Sequence, residues 1–164
     1  MKKIVLFLFV ALSLTACKKK SLTNNCCLES PYQSEFSGGH IFVPNIFTPD
    51  GDGKNDLFGP ILEGATSYTL KIQSTKNKVL FSSENQPWDG ISNGSRVRDI
   101  VGWTIVVNTS KAEQFTYRGQ VCVLVAGNDI CPKNLDDCYF SNQFTTVPTA
   151  TFDSNIPSGE GLCD

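Results

Sequence analysis

The stretch "VPNIFTPDGDGKNDLF", Val43–Phe58, joins two kinds of chain within sixteen positions. Its first part continues an apolar run, Ile41–Phe47, rich in branched and aromatic residues, and reads as a strand. Its middle carries Asp50, Asp52, Asn55 and Asp56 among Gly51 and Gly53, and Leu57 and Phe58 return to apolar character. The four polar side chains are hard oxygen donors, and the glycines let the backbone wrap an ion, so calcium is the candidate cofactor. The same residues also suit a turn, since Asp and Asn bond neighbouring backbone N–H groups and Asp-Gly is a preferred turn pair. The loop lacks the EF-hand layout with its closing bidentate Glu. No other cofactor is suggested.

Outward from this stretch the chain reads as short strands. "HIFVPNIF", from His40, is expected to form one strand. "SYTLKIQ", Ser67–Gln73, alternates, with Tyr68, Leu70 and Ile72 on one face and Thr69, Lys71 and Gln73 on the other. A turn at Thr75–Asn77 leads to "KVLFSS", and "WDGISNG", Trp88–Gly94, is turn chemistry. "GWTIVVNT" and "GQVCVLVAG" are further strands, with "KAEQFTYR" between them a candidate for another. No stretch keeps a helical period. Regular short strands divided by Gly, Asn and Asp predict an all-β sandwich.

The N-terminus has a different character. Lys2 and Lys3 precede the apolar run "IVLFLFVALSLTA", Ile4–Ala16, which is too short to span a bilayer and has the layout of a secretory signal. "LTAC", Leu14–Cys17, resembles the lipobox of bacterial lipoproteins. That resemblance implies cleavage before Cys17, lipidation of Cys17, and an anchor in which each buried methylene contributes roughly 0.8 kcal/mol. Loss of Lys2 and Lys3 takes the formal charge from -2 to about -4. This acidic balance offers no basic surface for nucleic acid. "KKK", Lys18–Lys20, sits beside the lipid and suits anionic head groups. In Bacteroidetes lipoproteins acidic residues after the cysteine tend to mark surface export. The basic residues here therefore favour the periplasmic face of the outer membrane.

Seven cysteines are present. With Cys17 lipidated, Cys26, Cys27, Cys122, Cys131, Cys138 and Cys163 remain, an even set that reads as disulfides in an exported protein. Their spacings do not fit paired C-x-x-C zinc ligands. The pairing stays open, although an adjacent Cys26–Cys27 bridge is strained. Bridges are expected to tie the N- and C-terminal extensions to each other or to the last strand.

With these pieces placed, Val43–Phe58 resembles the opening of the gliding-motility-associated C-terminal domain family of Bacteroidetes, a type B sorting-domain-like module of type IX secretion. That family opens with V-P-N-x-F-(T/S)-P-N-G-D-G-x-N-D-x-F. Pro44, Asn45, Phe47, Pro49, Gly51, Asp52, Gly53, Asn55 and Asp56 match, and Asp50 stands in place of the usual Asn. Further on, Trp88, Asp89 and Gly90 match W-(D/N)-G, followed by Asn93–Gly94, Gly102–Trp103 and "RGQVCVLV", Arg118–Val125. "TKN", Thr75–Asn77, replaces the family's R-W-G turn. The resemblance covers about half the chain, residues 40–126. It implies an immunoglobulin-like β-sandwich.

The resulting expectation is a signal peptide over 1–16, a lipidated polar tether over 17–39, the β-sandwich over 40–126 and an irregular cysteine-containing extension over 127–164. In the family the domain usually closes a large exported protein as a sorting module. Here it follows the lipobox and precedes an extension, so the expected role is protein binding or scaffolding in the cell envelope, without catalysis. His40 is the only histidine, so Ser-His-Asp and Cys-His machinery has no other base to use. No phosphate loop or dinucleotide fingerprint occurs. The alternative is a carbohydrate-binding accessory lipoprotein or adhesin, with Trp88 or Trp103 as glycan-stacking platforms.

Overall fold

The computed structural model describes residues 29–124, 138–146 and 150–160. The signal peptide, Cys17, Lys18–Lys20, Cys26, Cys27, Cys131 and Cys163 lie outside the described residues. The strands in chain order are β1 (Tyr32–Phe36), β2 (Gly39–Val43), β3 (Ile46–Phe47), β4 (Ile61–Glu63), β5 (Ala65–Gln73) and β6 (Val79–Glu84). They continue with β7 (Ile91–Ser92), β8 (Ser95–Arg96), β9 (Ile100–Thr109), β10 (Gln114–Val123), β11 (Phe144–Thr145) and β12 (Thr151–Phe152). A short 3-10 helix, Ser141–Gln143, precedes β11.

The protein is all-β. One sheet has three antiparallel strands in the order β1-β2-β4. A second has five, β3-β10-β9-β5-β6, antiparallel except where β3 runs parallel to β10, and β7-β8 and β11-β12 form two small antiparallel pairs beside these two main sheets. Period-two alternation decides which face each strand buries. In β9 it places Val101, Trp103, Ile105 and Val107 inward, and in β5 Leu70 and Ile72. These meet Ile41 and Val43 of β2, Phe36 of β1, and Tyr117, Val121 and Val123 of β10 in one apolar cluster, so the two sheets share a core. Burying each large apolar side chain contributes about 1.5–3 kcal/mol, which makes this cluster the main stabilising term.

A second, smaller cluster holds Ile46, Cys122, Leu124, Cys138 and Phe140. Ile46 and Phe47 are adjacent in β3 and therefore serve different clusters. Cys122 and Cys138 are both buried in this cluster.

Four expectations change. The polar segment assigned to the tether contains β1, which pairs with β2 from Tyr32↔Val43 to Phe36↔Gly39. Its polar residues face outward, which is why it reads as a tether. "HIFVPNIF" is two strands in different sheets, broken at Pro44–Asn45, because proline has no N–H to give a ladder. "QFTYR" and "GQVCV" are one continuous strand, β10, since Gly119 lies opposite Trp103 without interrupting the ladder. The extension is not wholly irregular. Residues 138–160 include the 3-10 helix and the β11–β12 pair, and Phe144 packs on Phe42 with ring centroids 4.6 Å apart.

Candidate functional site

The loop from Thr48 to Phe58 is closed at its base by the Thr48 N–H, which donates to the Asn55 carbonyl at 3.0 Å. Gly51 (φ 92°), Gly53 (φ 90°) and Asn55 (φ 42°) take left-handed backbone, where Gly and Asn are the least strained residues. Inside this frame Asp56 accepts from Gly51 N–H at 2.6 Å and from Gly53 N–H at 2.8 Å, one on each oxygen. Asp50 accepts from Asp52 N–H at 3.1 Å, and Asp52 from Lys54 N–H at 2.8 Å. The turn-organising role expected of these aspartates is therefore present.

The same turns gather the carboxylates. Ligand oxygens of Asp50, Asp52 and Asp56 lie within 4.8 Å of one another, a triad that could hold a metal ion. Asp50 and Asp52 each keep a second oxygen for which no hydrogen bond is formed among the described residues.

Asn55 does not join the triad as expected. Its side chain is turned into the C-terminal extension. Nδ2 donates to the Ser158 carbonyl at 3.0 Å and to Glu160 Oε1 at 2.6 Å. Oδ1 accepts from Ser141 Oγ at 3.3 Å and Asn142 N–H at 3.4 Å. Its polar atoms are committed to the tail, so it is a clamp rather than a ligand. Asn45 acts similarly. Its Nδ2 donates to the Glu29 carbonyl at 2.7 Å and its Oδ1 accepts from Tyr139 N–H at 2.7 Å. Both asparagines of the opening motif thus hold segments remote in sequence.

The tail adds an acid to the neighbourhood. Burial, followed by the Asp52 and Asp50 charges, pushes the Glu160 carboxyl up from its ordinary value, against the opposing Asn55 hydrogen bond. Sequence reading gives no hint of this, because Glu160 lies in a polar stretch without periodicity.

The remaining motif residues form one structural unit beneath the loop. Phe47 contacts Phe58 and Trp88 with ring centroids 5.6 and 5.5 Å apart. Phe58 and Trp88 exchange backbone hydrogen bonds at 2.8 Å. Gly90, at φ 75°, lies where a Cβ would come 2.5 Å from Pro49 Cγ, so only glycine fits. Asp89 Oδ1 accepts from Ile91 N–H at 3.0 Å.

Trp88 and Trp103 are 0% and 3% exposed, which removes both as glycan-stacking platforms. Their indole N–H groups donate inside the protein, to Ile91 and Gln120 carbonyls at 2.9 and 3.1 Å. His40 lines a groove with Gln33, Ser34, Glu35, Phe42 and Ala150, and its ring stacks on Phe42 at 6.2 Å. No protein-family model, curated protein or solved structure matches the chain.

Proposed function

We propose that the chain is a non-catalytic lipoprotein of the bacterial cell envelope that binds or scaffolds another envelope protein. Its β-domain is read as an immunoglobulin-like sandwich of the gliding-motility-associated, type IX secretion-related kind. The observation that carries this reading is the unit made by the two motif segments. Phe47, Pro49 and Phe58 of the first meet Trp88 and Gly90 of the second, so the residues behind the resemblance serve one another physically. The core shared by two sheets supports the sandwich.

Lipidation at Cys17 anchors the chain, on the periplasmic face of the outer membrane. The buried Cys122 and Cys138 support the idea that disulfides tie the extensions to the last long strand. The Asp50–Asp52–Asp56 cluster suits calcium, a hard cation that takes carboxylate oxygens and tolerates irregular geometry. A cation there offsets the repulsion of three acids on one loop. No observation favours the glycan-binding alternative.

The test is protease shaving of intact cells, with the protein followed by antibody beside a lysed control and a Cys17→Ser strain. Cleavage only after lysis, with the serine variant released from membranes, is the expected result, and capture of an envelope protein from solubilised membranes completes it. Cleavage on intact cells would sink the periplasmic placement and point to an adhesin. A serine variant that stays in the membrane would sink the lipid anchor.

A further inference from the structure

The C-terminal segment Pro157–Glu160 is seated on the loop as a peptide ligand is seated on a receptor. Its consecutive carbonyls are received by side-chain donors. Asn142 Nδ2 reaches the Pro157 carbonyl at 3.5 Å and that of Ser158 at 2.6 Å. Asn55 Nδ2 reaches the Ser158 carbonyl, and Lys54 Nζ the Gly159 carbonyl at 2.9 Å. Asn55 then takes the Glu160 side chain at 2.6 Å. No strand ladder holds this segment, and the contacts read main-chain acceptors. Gly159 supplies the specificity. It sits at φ 75°, and a Cβ there would press on Lys54 Cδ at 3.2 Å.

We propose that Lys54, Asn55 and Asn142 form a peptide-reading site that the chain fills with its own tail, and that a partner segment of the same form displaces it. The partner segment offers successive free carbonyls, turns through a glycine in left-handed backbone against Lys54 and carries a side-chain oxygen acceptor one residue later. The tail is a built-in competitor, because tethering gives it a high effective concentration. The inference rests on the protein-binding reading and names the chemistry of the partner.

The experiment uses the full-length protein in detergent and a fluorescein-labelled peptide, DSNIPSGE, copied from Asp153–Glu160. The wild type is expected to bind it weakly. Gly159→Val unseats the tail by strain and Glu160→Ala by removing the Asn55 acceptor. Hydrogen exchange at residues 141–142 and 54–55 reports the release. Each is expected to bind the probe roughly tenfold or more tighter than wild type. Adding Lys54→Ala should abolish the gain, and a peptide with valine in place of its glycine should not bind.

Release without probe binding overturns the proposal, as does binding that ignores Lys54→Ala. A tail that neither variant releases is a fixed part of the fold and also overturns it. Tail-exchanged dimers of the wild type, seen by light scattering, would assign the site to a second copy instead of a partner. Any of these leaves capture of an envelope protein from membranes unaffected, so the broader reading fails or stands separately.

Discussion

The Asn55 side-chain amide donates to the Glu160 carboxylate at 2.6 Å, joining two residues 105 positions apart. The contact makes the aspartate loop and the tail one structural element. It also puts a fourth acid near a loop that already carries three.

Asn55→Ala should lower stability by about 3 kcal/mol, combining left-handed strain at φ 42° with tail groups left without their partner. Asn55→Gly keeps the backbone relaxed and loses only the bonds, so its loss should be smaller. Urea unfolding of the three proteins separates the two contributions. Equal losses for alanine and glycine would show that the backbone conformation contributes nothing.

The sheet core was legible in the chain because it is written in a local code. The alternation of Ser67–Gln73 reappears in β5, the strand expected at "GWTIVVNT" lies within β9, and Asn93–Gly94 turns the β7–β8 hairpin with φ values of 51° and 75°. The tail contacts were not legible. They run from side-chain donors to main-chain carbonyls across about a hundred positions, and backbone acceptors leave no mark in residue identity. β1 was hidden for another reason. It has one solvent face, and only Phe36 among its residues is buried. For the site, the acidic triad was legible as a set, but the direction in which Asn55 points was not, since Asn serves equally as ligand, turn former and clamp.

Gly119 should not tolerate a side chain. It lies opposite Trp103 in the β9–β10 ladder, and a Cβ would come 2.5 Å from Trp103 Cζ2. Gly119→Ala should destabilise by about 2 kcal/mol through overpacking. Trp103→Phe removes the part of the ring that clashes, so the double variant should lose less than the sum of the two single losses. Additive losses in urea would contradict the close approach.

Calcium should raise the melting temperature in a dose-dependent way, and a chelator should reverse it. At a concentration of about 100 times Kd the gain is about 2.7 kcal/mol. Asp52→Asn keeps an oxygen for the Lys54 N–H while removing one charge, so it should abolish the response without lowering stability in chelator. No shift with calcium, or an unchanged response in the variant, would show that the triad only organises its turn.

Glu160 gives the fold a dependence on pH that runs against the usual direction for an acid. Its carboxyl is raised in the folded protein, first by burial and then by Asp52 and Asp50, so the folded state binds its proton more tightly than the unfolded chain. The proton therefore favours folding. Stability from this group is highest below the ordinary carboxylate value and falls as pH rises through the window up to the raised one. Above that window the penalty is fully present at neutral pH. Glu160→Gln keeps an oxygen to accept from Asn55 and removes the charge, so it should be more stable than wild type at neutral pH and converge with it in acid. The comparison is made by urea unfolding across pH in chelator, so that no cation masks Asp50 and Asp52. Parallel curves would mean that Glu160 feels no net penalty. A variant less stable at neutral pH would mean that the Asn55 bond to the charged form outweighs burial and the two aspartates.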